Sequence, residues 1–437
     1  PVAPDTGGTA TVATFNVLNY FTTLGSRGAD TTDELEKQTT KIVTALAEID
    51  ADILGLVEIE NNYSLGGASA AAALVEALNA EFGAGTYEYV DPGMDVGPDE
   101  IAVAILFKPA NVTPAGDLAI LDSSVDPDFI DTRNRPVLIQ TFDHTASGER
   151  FTVAVNHLKS KGSPCDDIGD PDVGDGQGNC NLTRTTAAQA LADYLATDPT
   201  GSGDLDFLIL GDLNAYARED PIEALLEAGY TDLLAVFNGP GVYTYVFDGQ
   251  TGYLDYALAT GSMLDQKSGT APWNLNSDEP DAFDYNEDFD DSRNIPLWYE
   301  ATAYRSSDHD PVIVGLNLVD TTPPVVACNA PDTISNRDRG IVFAATAEDA
   351  ADTDPVVTIE DASCRRVLPN GKVIENSRSC AITVDGDTIT VHRPGGVFNQ
   401  IRWTATASDD AGNTASTQCA VRVVPAWLKW LRSLPGK

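Results

Sequence analysis

Five short polar motifs close apolar runs, in a fixed order, through the first 320 residues. They are Thr14-Phe15-Asn16, Val57-Glu58-Ile59-Glu60-Asn61-Asn62, Asn156-His157-Leu158-Lys159, Gly211-Asp212-Leu213-Asn214 and Ser307-Asp308-His309-Asp310. Carboxylate and amide oxygens hold hard divalent cations such as Mg²⁺, Mn²⁺ or Ca²⁺. Two imidazoles beside carboxylates can activate water and protonate a leaving oxygen. Together these groups suit the cleavage of a phosphate ester. One such tetrapeptide says little; five in series, each beside a strand-like run, are hard to assemble by chance. Only four histidines occur in the chain, and two of them fall in motifs. His144 and His392 carry no motif and read as incidental.

The elements that must position these residues alternate in type. Thr11–Leu18 alternates and ends at Asn19, a first strand. Asp33–Ile49 repeats apolar residues at helical spacing, with Thr31, Thr32 or Asp33 as its cap. Ile53–Val57 is a short buried strand delivering Glu58. Ala70–Phe82 is a second helix capped by Ser69. Ile101–Phe107 and Val137–Phe142 are strands. Phe151–Val155 delivers His157, Thr183–Ala196 is helical, and Phe207–Leu210 delivers Asp212. Tyr253–Leu258 and Val312–Leu318 complete the set. Strands alternating with helices predict an α/β fold, with functional residues just beyond strand ends.

At 437 residues the chain is long enough for two domains. Residues 1–10 read as an N-terminal linker, 11–319 as the catalytic domain and 320–324, Asp320-Thr321-Thr322-Pro323-Pro324, as a second linker. Residues 325–424 hold short β-branched runs split by Asp/Gly turns, the pattern of an Ig-like β-sandwich. Residues 425–437 form a tail, with Trp427, Leu428, Trp430 and Leu431 beside Lys429 and Arg432; packing or a truncation remnant is preferred over membrane contact. No apolar run reaches the ~20 residues needed to span a bilayer. The start, Pro1-Val2-Ala3-Pro4-Asp5, reads as a processed end whose signal peptide has been removed.

The net charge is −41. Residues 1–320 carry 54 acids against 14 Lys and Arg. So acidic a surface opposes capture of nucleic acid, and adaptation to high salt, where screening is strong, is the expected explanation. Seven of those 14 cations (Arg133, Arg135, Lys159, Lys161, Arg184, Arg218 and Arg305) lie in or beside the motif segments, a local positive funnel in an acidic shell. Six cysteines partition as Cys165 and Cys180 around a Gly/Asp-rich loop, with Cys328, Cys364, Cys380 and Cys419 further on. Disulfides and an oxidising location are expected, with Cys165–Cys180 paired and contributing roughly 3 kcal/mol. The other four allow three pairings. A zinc site is the alternative, without Cys-x-x-Cys spacing to support it.

The motif series resembles the endonuclease/exonuclease/phosphatase superfamily, the fold of DNase I and of exonuclease III-type repair enzymes, over roughly residues 10 to 319. The run Asn156-His157-Leu158-Lys159-Ser160-Lys161-Gly162-Ser163-Pro164-Cys165, the segment from Asp175 to Thr185, and Gly211-Asp212-Leu213-Asn214-Ala215-Tyr216 leading to Glu219-Asp220-Pro221-Ile222 resemble the ExeM-like branch of bacterial extracellular nucleases. The resemblance implies a four-layer α/β sandwich, two mixed sheets face to face with helices outside. It implies Glu58 and Asp308 as metal ligands, with Asn16 orienting Glu58 or the phosphate. His157 becomes the general acid, and Asp212 binds or deprotonates water while Asn214 donates to the phosphate. His309 contacts the phosphoryl oxygen or serves as base, oriented by Asp255. Arg135, with Arg133 as alternative, contacts phosphate. Arg184 does likewise or anchors the disulfide loop. Glu60 and Asp310 read as structural.

The leading expectation is a secreted, Mg²⁺- or Mn²⁺-dependent nuclease acting on DNA with little sequence specificity, with RNA left open. It is expected to be a monomer without a stable protein partner. The runner-up is a phosphodiesterase or phosphatase of the same fold acting on nucleotides, inositol phosphates or phospholipid head groups. An inactive adhesion module is disfavoured because the catalytic set is intact. Structural Ca²⁺ is considered at Asp166–Asp175 and Asp278–Asp291. Neither stretch has EF-hand spacing, and solvated salt-adapted loops compete as the explanation.

Overall fold

The structure, a computed structural model, describes residues 2–287, 298–349, 352–375 and 379–427. The tail beyond Trp427 and the end of the acidic stretch beyond Glu287 lie outside the described residues. The chain divides into two compact units, Pro1–Leu318 and Val319–Lys437.

In the first unit the chain runs β1 (Ala10–Tyr20), α1 (Thr32–Ile49), β2 (Ile53–Glu60), α2 (Ala70–Phe82), β3 (Glu88–Tyr89), β4 (Ile101–Phe107), β5 (Val112–Leu121), β6 (Arg135–His144) and β7 (Arg150–His157). It continues through α3 (Asn181–Leu195), β8 (Phe207–Asp212), α4 (Asp220–Glu227), β9 (Thr231–Asp232), α5 (Leu233–Asn238), β10 (Tyr245–Phe247), β11 (Gln250–Gly252), β12 (Asp255–Ala259), α6 (Gly261–Asp265), β13 (Lys267–Pro272) and β14 (Val312–Leu316). Two six-stranded sheets result, ordered β13-β14-β1-β2-β4-β3 and β5-β6-β7-β8-β12-β9. Both are mixed: β1 and β2 pair parallel, as do β7 and β8, while the other pairs are antiparallel.

The sheets pack face to face, which explains the unbroken apolar runs. Ile101–Phe107 is buried at every residue, and Phe207–Asp212 likewise, as expected for strands covered on both faces. Gly55 allows a close approach, where an added Cβ would stand 2.9 Å from Val155 Cγ2 of the opposite sheet. Helices α1 and α2 cover the first sheet, burying Ile42, Leu46, Leu74 and Leu78. Thr31 starts α1: its side chain accepts from Glu34 N at 3.2 Å while Glu34 Oε2 accepts from Thr31 N at 3.0 Å, a reciprocal cap that satisfies two end donors. Ser69 caps α2 through Ala72 N. Residues just before β1, expected as linker, belong to this packing: Thr9 N donates to Leu316 O.

Up to Val424 the regular elements of the second unit are all strands among its described residues. Its strands are β15 (Val325–Ala327), β16 (Thr333–Ser335), β17 (Ile341–Ala344), β18 (Thr346–Glu348), β19 (Val356–Val367), β20 (Val373–Ile374), β21 (Ala381–Asp385), β22 (Thr388–Arg393), β23 (Asn399–Ser408) and β24 (Thr414–Val424). They form sheets of five, three and two strands around Trp403, Ile389, Ile401 and Val421. Three disulfides join Cys165 to Cys180, Cys328 to Cys419 and Cys364 to Cys380. No cysteine is left for zinc. No described helix is long and apolar enough to cross a membrane.

Candidate active site

Register lines up the motif residues. In the first sheet Asn16 pairs with Val57, one residue before Glu58, and Thr14 pairs with Val312. The loop carrying Asp308 and His309 therefore opens beside the ends of β1 and β2. In the second sheet Arg135 pairs with His157, His157 with Asp212, and Asp212 with Asp255. Four polar side chains thus stand in one row across four neighbouring strands.

The two sets converge. His309 Nδ1 lies 2.8 Å from Asp255 Oδ2, and His309 Nε2 lies 4.0 Å from Asp212 Oδ2. His157 Nε2 stands 3.6 Å from the same Asp212 oxygen and 3.9 Å from Glu58 Oε1. Glu58 lies within β2, with φ of 65° at a register shift between Val57 and Ile59. A bulge with left-handed backbone re-aims one side chain and is tolerated where the surroundings hold it. Asn19 N donates to Glu58 Oε2 at 3.2 Å.

Electrostatics separates the two imidazoles. Burial pushes His157 well below the ordinary histidine value, and the Arg135 and His309 charges push the same way, so it is neutral. Burial also opposes charge on His309, but Asp255, Asp308 and Asp212 outweigh it and raise it well above that value. The proton of this pair therefore rests on His309, not on His157, where a ready-made general acid was expected. Burial lifts Asp212 to about 7 although His309 pulls it down. Burial and the Asp308 charge raise Glu58, with His309 and Asn16 acting in the opposite sense.

Asn214 departs from its expected part as a free donor. Its Nδ2 donates to Asp212 Oδ2 at 3.0 Å and to Leu158 O at 3.1 Å, and its N–H donates to Asp212 Oδ1 at 2.7 Å. It holds the Asp212 carboxylate in place. Arg135 is buried, with Nε 3.3 Å from Asp99 Oδ2. Arg133 pairs with Asp167. Arg184 is a correction to the phosphate-contact expectation: it is fully buried and donates to Gln177 O, Asn179 O and Lys159 O at 2.9, 2.7 and 3.1 Å. It anchors the loop closed by Cys165–Cys180. Glu60 accepts from Thr22 N, Thr22 Oγ1 and Thr23 N, and Asp310 from three backbone N–H groups of residues 275–277.

Three contributors were not read from sequence. Thr244 Oγ1 donates to Asp255 Oδ2 at 2.7 Å. The Tyr245 ring lies 4.5 Å from the His309 ring, centroid to centroid, and burial pushes its phenol up to about 12. Asp99 pairs with both Arg27 and Arg135. For Thr244 and Tyr245 the sequence signal is the Tyr-Thr-Tyr run at 243–245, ending ten residues ahead of Asp255.

A hard cation fits this donor set. Asp308 Oδ1 is buried without a hydrogen-bond partner, and the like charge of Asp308 raises the cost of ionising Glu58. Calcium, considered for the acidic loop, fits less well. Within Asp166–Asp175, Asp170 uses its carboxylate to accept from Leu182 N, Thr183 N and Thr183 Oγ1, capping α3. No three acids there converge on a common point among the described residues.

The endonuclease/exonuclease/phosphatase family model matches residues 13–352. The chain belongs to this family. Its members are hydrolytic enzymes, nucleases and phosphatases, that generally use divalent metals. Similar solved structures include a mannosyl-6-phosphatase of Bacteroides thetaiotaomicron, 16% identical over 71% of this chain and 100% of that one, with a TM-score of 0.46. The human Nocturnin catalytic domain with bound sulfate is 15% identical over 70% of this chain and 93% of its own, TM-score 0.44. D. rerio TDP2 complexed with single-strand DNA product is 13% identical over 71% and 99%, TM-score 0.43. No curated protein sequence matches the chain.

Proposed function

We propose that this chain is a secreted, divalent-metal-dependent nuclease that hydrolyses phosphodiester bonds of DNA with little sequence specificity, in a salt-adapted acidic shell. The observation carrying the hydrolytic reading is the pair of imidazoles, 3.6 and 4.0 Å from one Asp212 oxygen and in opposite protonation states. In this reading Glu58 and Asp308 hold Mg²⁺ or Mn²⁺, which would polarise a phosphoryl oxygen. The His309 imidazolium, fixed by Asp255, donates to a phosphoryl oxygen and offsets the charge that grows there. Asp212, lifted to about 7, takes the proton of the attacking water. Neutral His157, 3.6 Å from Asp212, accepts that proton and passes it to the leaving oxygen. Arg135 contributes a fixed positive charge beside His157.

Three features favour a secreted DNase over a small-molecule phosphatase. The Cys165–Cys180 loop, anchored by Arg184, is the part of the sequence that resembles the extracellular nuclease branch. Lys159 precedes it and Arg133 pairs with Asp167 inside it. Three disulfides suit an oxidising compartment. The second unit, closed by Cys328–Cys419, is read as an Ig-like module. A turnover comparison tests the substrate: duplex DNA, RNA, sugar phosphates, inositol phosphates and phospholipid head groups at equal phosphoester concentration. Preference for DNA supports the reading; preference for a monoester or a head group replaces it.

A further inference from the structure

Asp320, Asp349 and Asp409 lie far apart in sequence and meet in the second unit, one carboxylate oxygen of each within 4.8 Å of the others. Asp320 enters the unit ahead of Thr321-Thr322-Pro323-Pro324, Asp349 follows β18, and Asp409 follows β23. The group is built rather than incidental. Asn413 Nδ2 donates to Asp320 O at 3.0 Å, tying the entering chain to the β23–β24 turn. Asp409 Oδ1 accepts from Asn413 N at 2.7 Å. Asp352 N donates to Asp349 Oδ1 at 3.0 Å, while Asp352 Oδ2 accepts from Asp410 N.

The second observation concerns Asp409 alone. The residue is 6% exposed, and its Oδ2 has no hydrogen-bond partner. No Lys, Arg or His pairs with Asp320 or Asp409 among the described residues. A buried carboxylate oxygen beside two further carboxylates is costly to hold without a counter-charge. Three carboxylates on a common point match an oxygen-liganded hard cation.

We propose that Asp320, Asp349 and Asp409 form a structural calcium-type site in the second unit. A cation there ties the entering chain, the loop after β18 and the β23–β24 turn into one body. The site is separate from Glu58 and Asp308, and the proposal stands whatever the substrate of the first unit.

Hydrogen exchange of the full chain tests it, read on peptides spanning 341–349 and 403–415 with millimolar CaCl₂ or with chelator. At calcium about ten times Kd, exchange limited by opening of this region slows about tenfold. The slowing persists in Glu58→Gln and is lost in Asp409→Asn. Should Asp409→Asn not fold, half-buried Asp320→Asn provides the same readout. Exchange that calcium leaves unchanged in the native chain overturns the proposal. So does protection equal to the native chain in both variants.

Discussion

His309 Nδ1 and Asp255 Oδ2 meet at 2.8 Å across the two sheets, His309 from the loop before β14 of one and Asp255 from the first residue of β12 of the other. The same Asp255 oxygen accepts from Thr244 Oγ1. Together they fix the ring and keep its proton. Asp255→Asn removes the charge while keeping the shape. The expected loss of kcat is about 10²–10⁴-fold, the span of general acid–base contributions, with the melting temperature little changed. NMR titration of His309 shows its pKa falling. An unchanged kcat would deny His309 its proposed part.

Glu58 combines left-handed backbone with a raised pKa. Glu58→Gln keeps the side-chain shape and removes its clash of charge with Asp308. Mg²⁺ or Mn²⁺ affinity is expected to fall by at least the roughly 10–100-fold typical of lost supporting groups. The chelated protein should melt higher than wild type. Unaltered metal affinity in calorimetry would move the metal elsewhere.

Asp212 gives a pH signature. Its pKa is about 7 in the folded protein against an ordinary 3.8, so the folded state holds this proton more tightly. The associated stability is complete below about pH 4 and is lost as pH rises through about 7. In chelator, the stability difference between Asp212→Asn and wild type should therefore grow in favour of the variant across that window. Denaturant melts at stepped pH measure it. A difference that stays flat or shrinks contradicts the assignment.

Arg184 separates anchoring from phosphate contact. With three carbonyls accepting from its buried guanidinium, Arg184→Met leaves those groups unpaired, at about 1–3 kcal/mol for each one kept from water. Stability should fall and KM for DNA should hold in the fraction that stays folded. Replacing Cys165 and Cys180 together by Ala should cost roughly 3 kcal/mol of stability. A raised KM at unchanged stability would restore Arg184 as a phosphate contact.

Much of the site was legible because Glu58, His157 and Asp212 follow apolar runs that only buried strands tolerate. The strand Val112–Leu121 was missed because Pro114, Gly116 and Asp117 interrupt it; as an edge strand bulged between Ala115 and Ala119 it accommodates them. The proton division between His157 and His309 was illegible, since it depends on burial and on an aspartate 54 residues from His309. Asp170 shows an alternative that sequence left open: an acid in a plausible calcium pattern caps a helix. The remote acids at 320, 349 and 409 share no local motif that could have pointed to their meeting.

The most direct measurement is nicking of plasmid DNA by the purified chain with Mg²⁺ or Mn²⁺, with and without EDTA, across NaCl concentrations, beside His157→Ala. The expected result is EDTA-sensitive nicking that the substitution abolishes and that persists towards molar salt. Steep loss between about 50 and 200 mM would reject salt adaptation and indicate ordinary phosphate-driven capture. Plasmid left intact with every metal and salt, while small phosphoesters are hydrolysed, would contradict the nuclease itself.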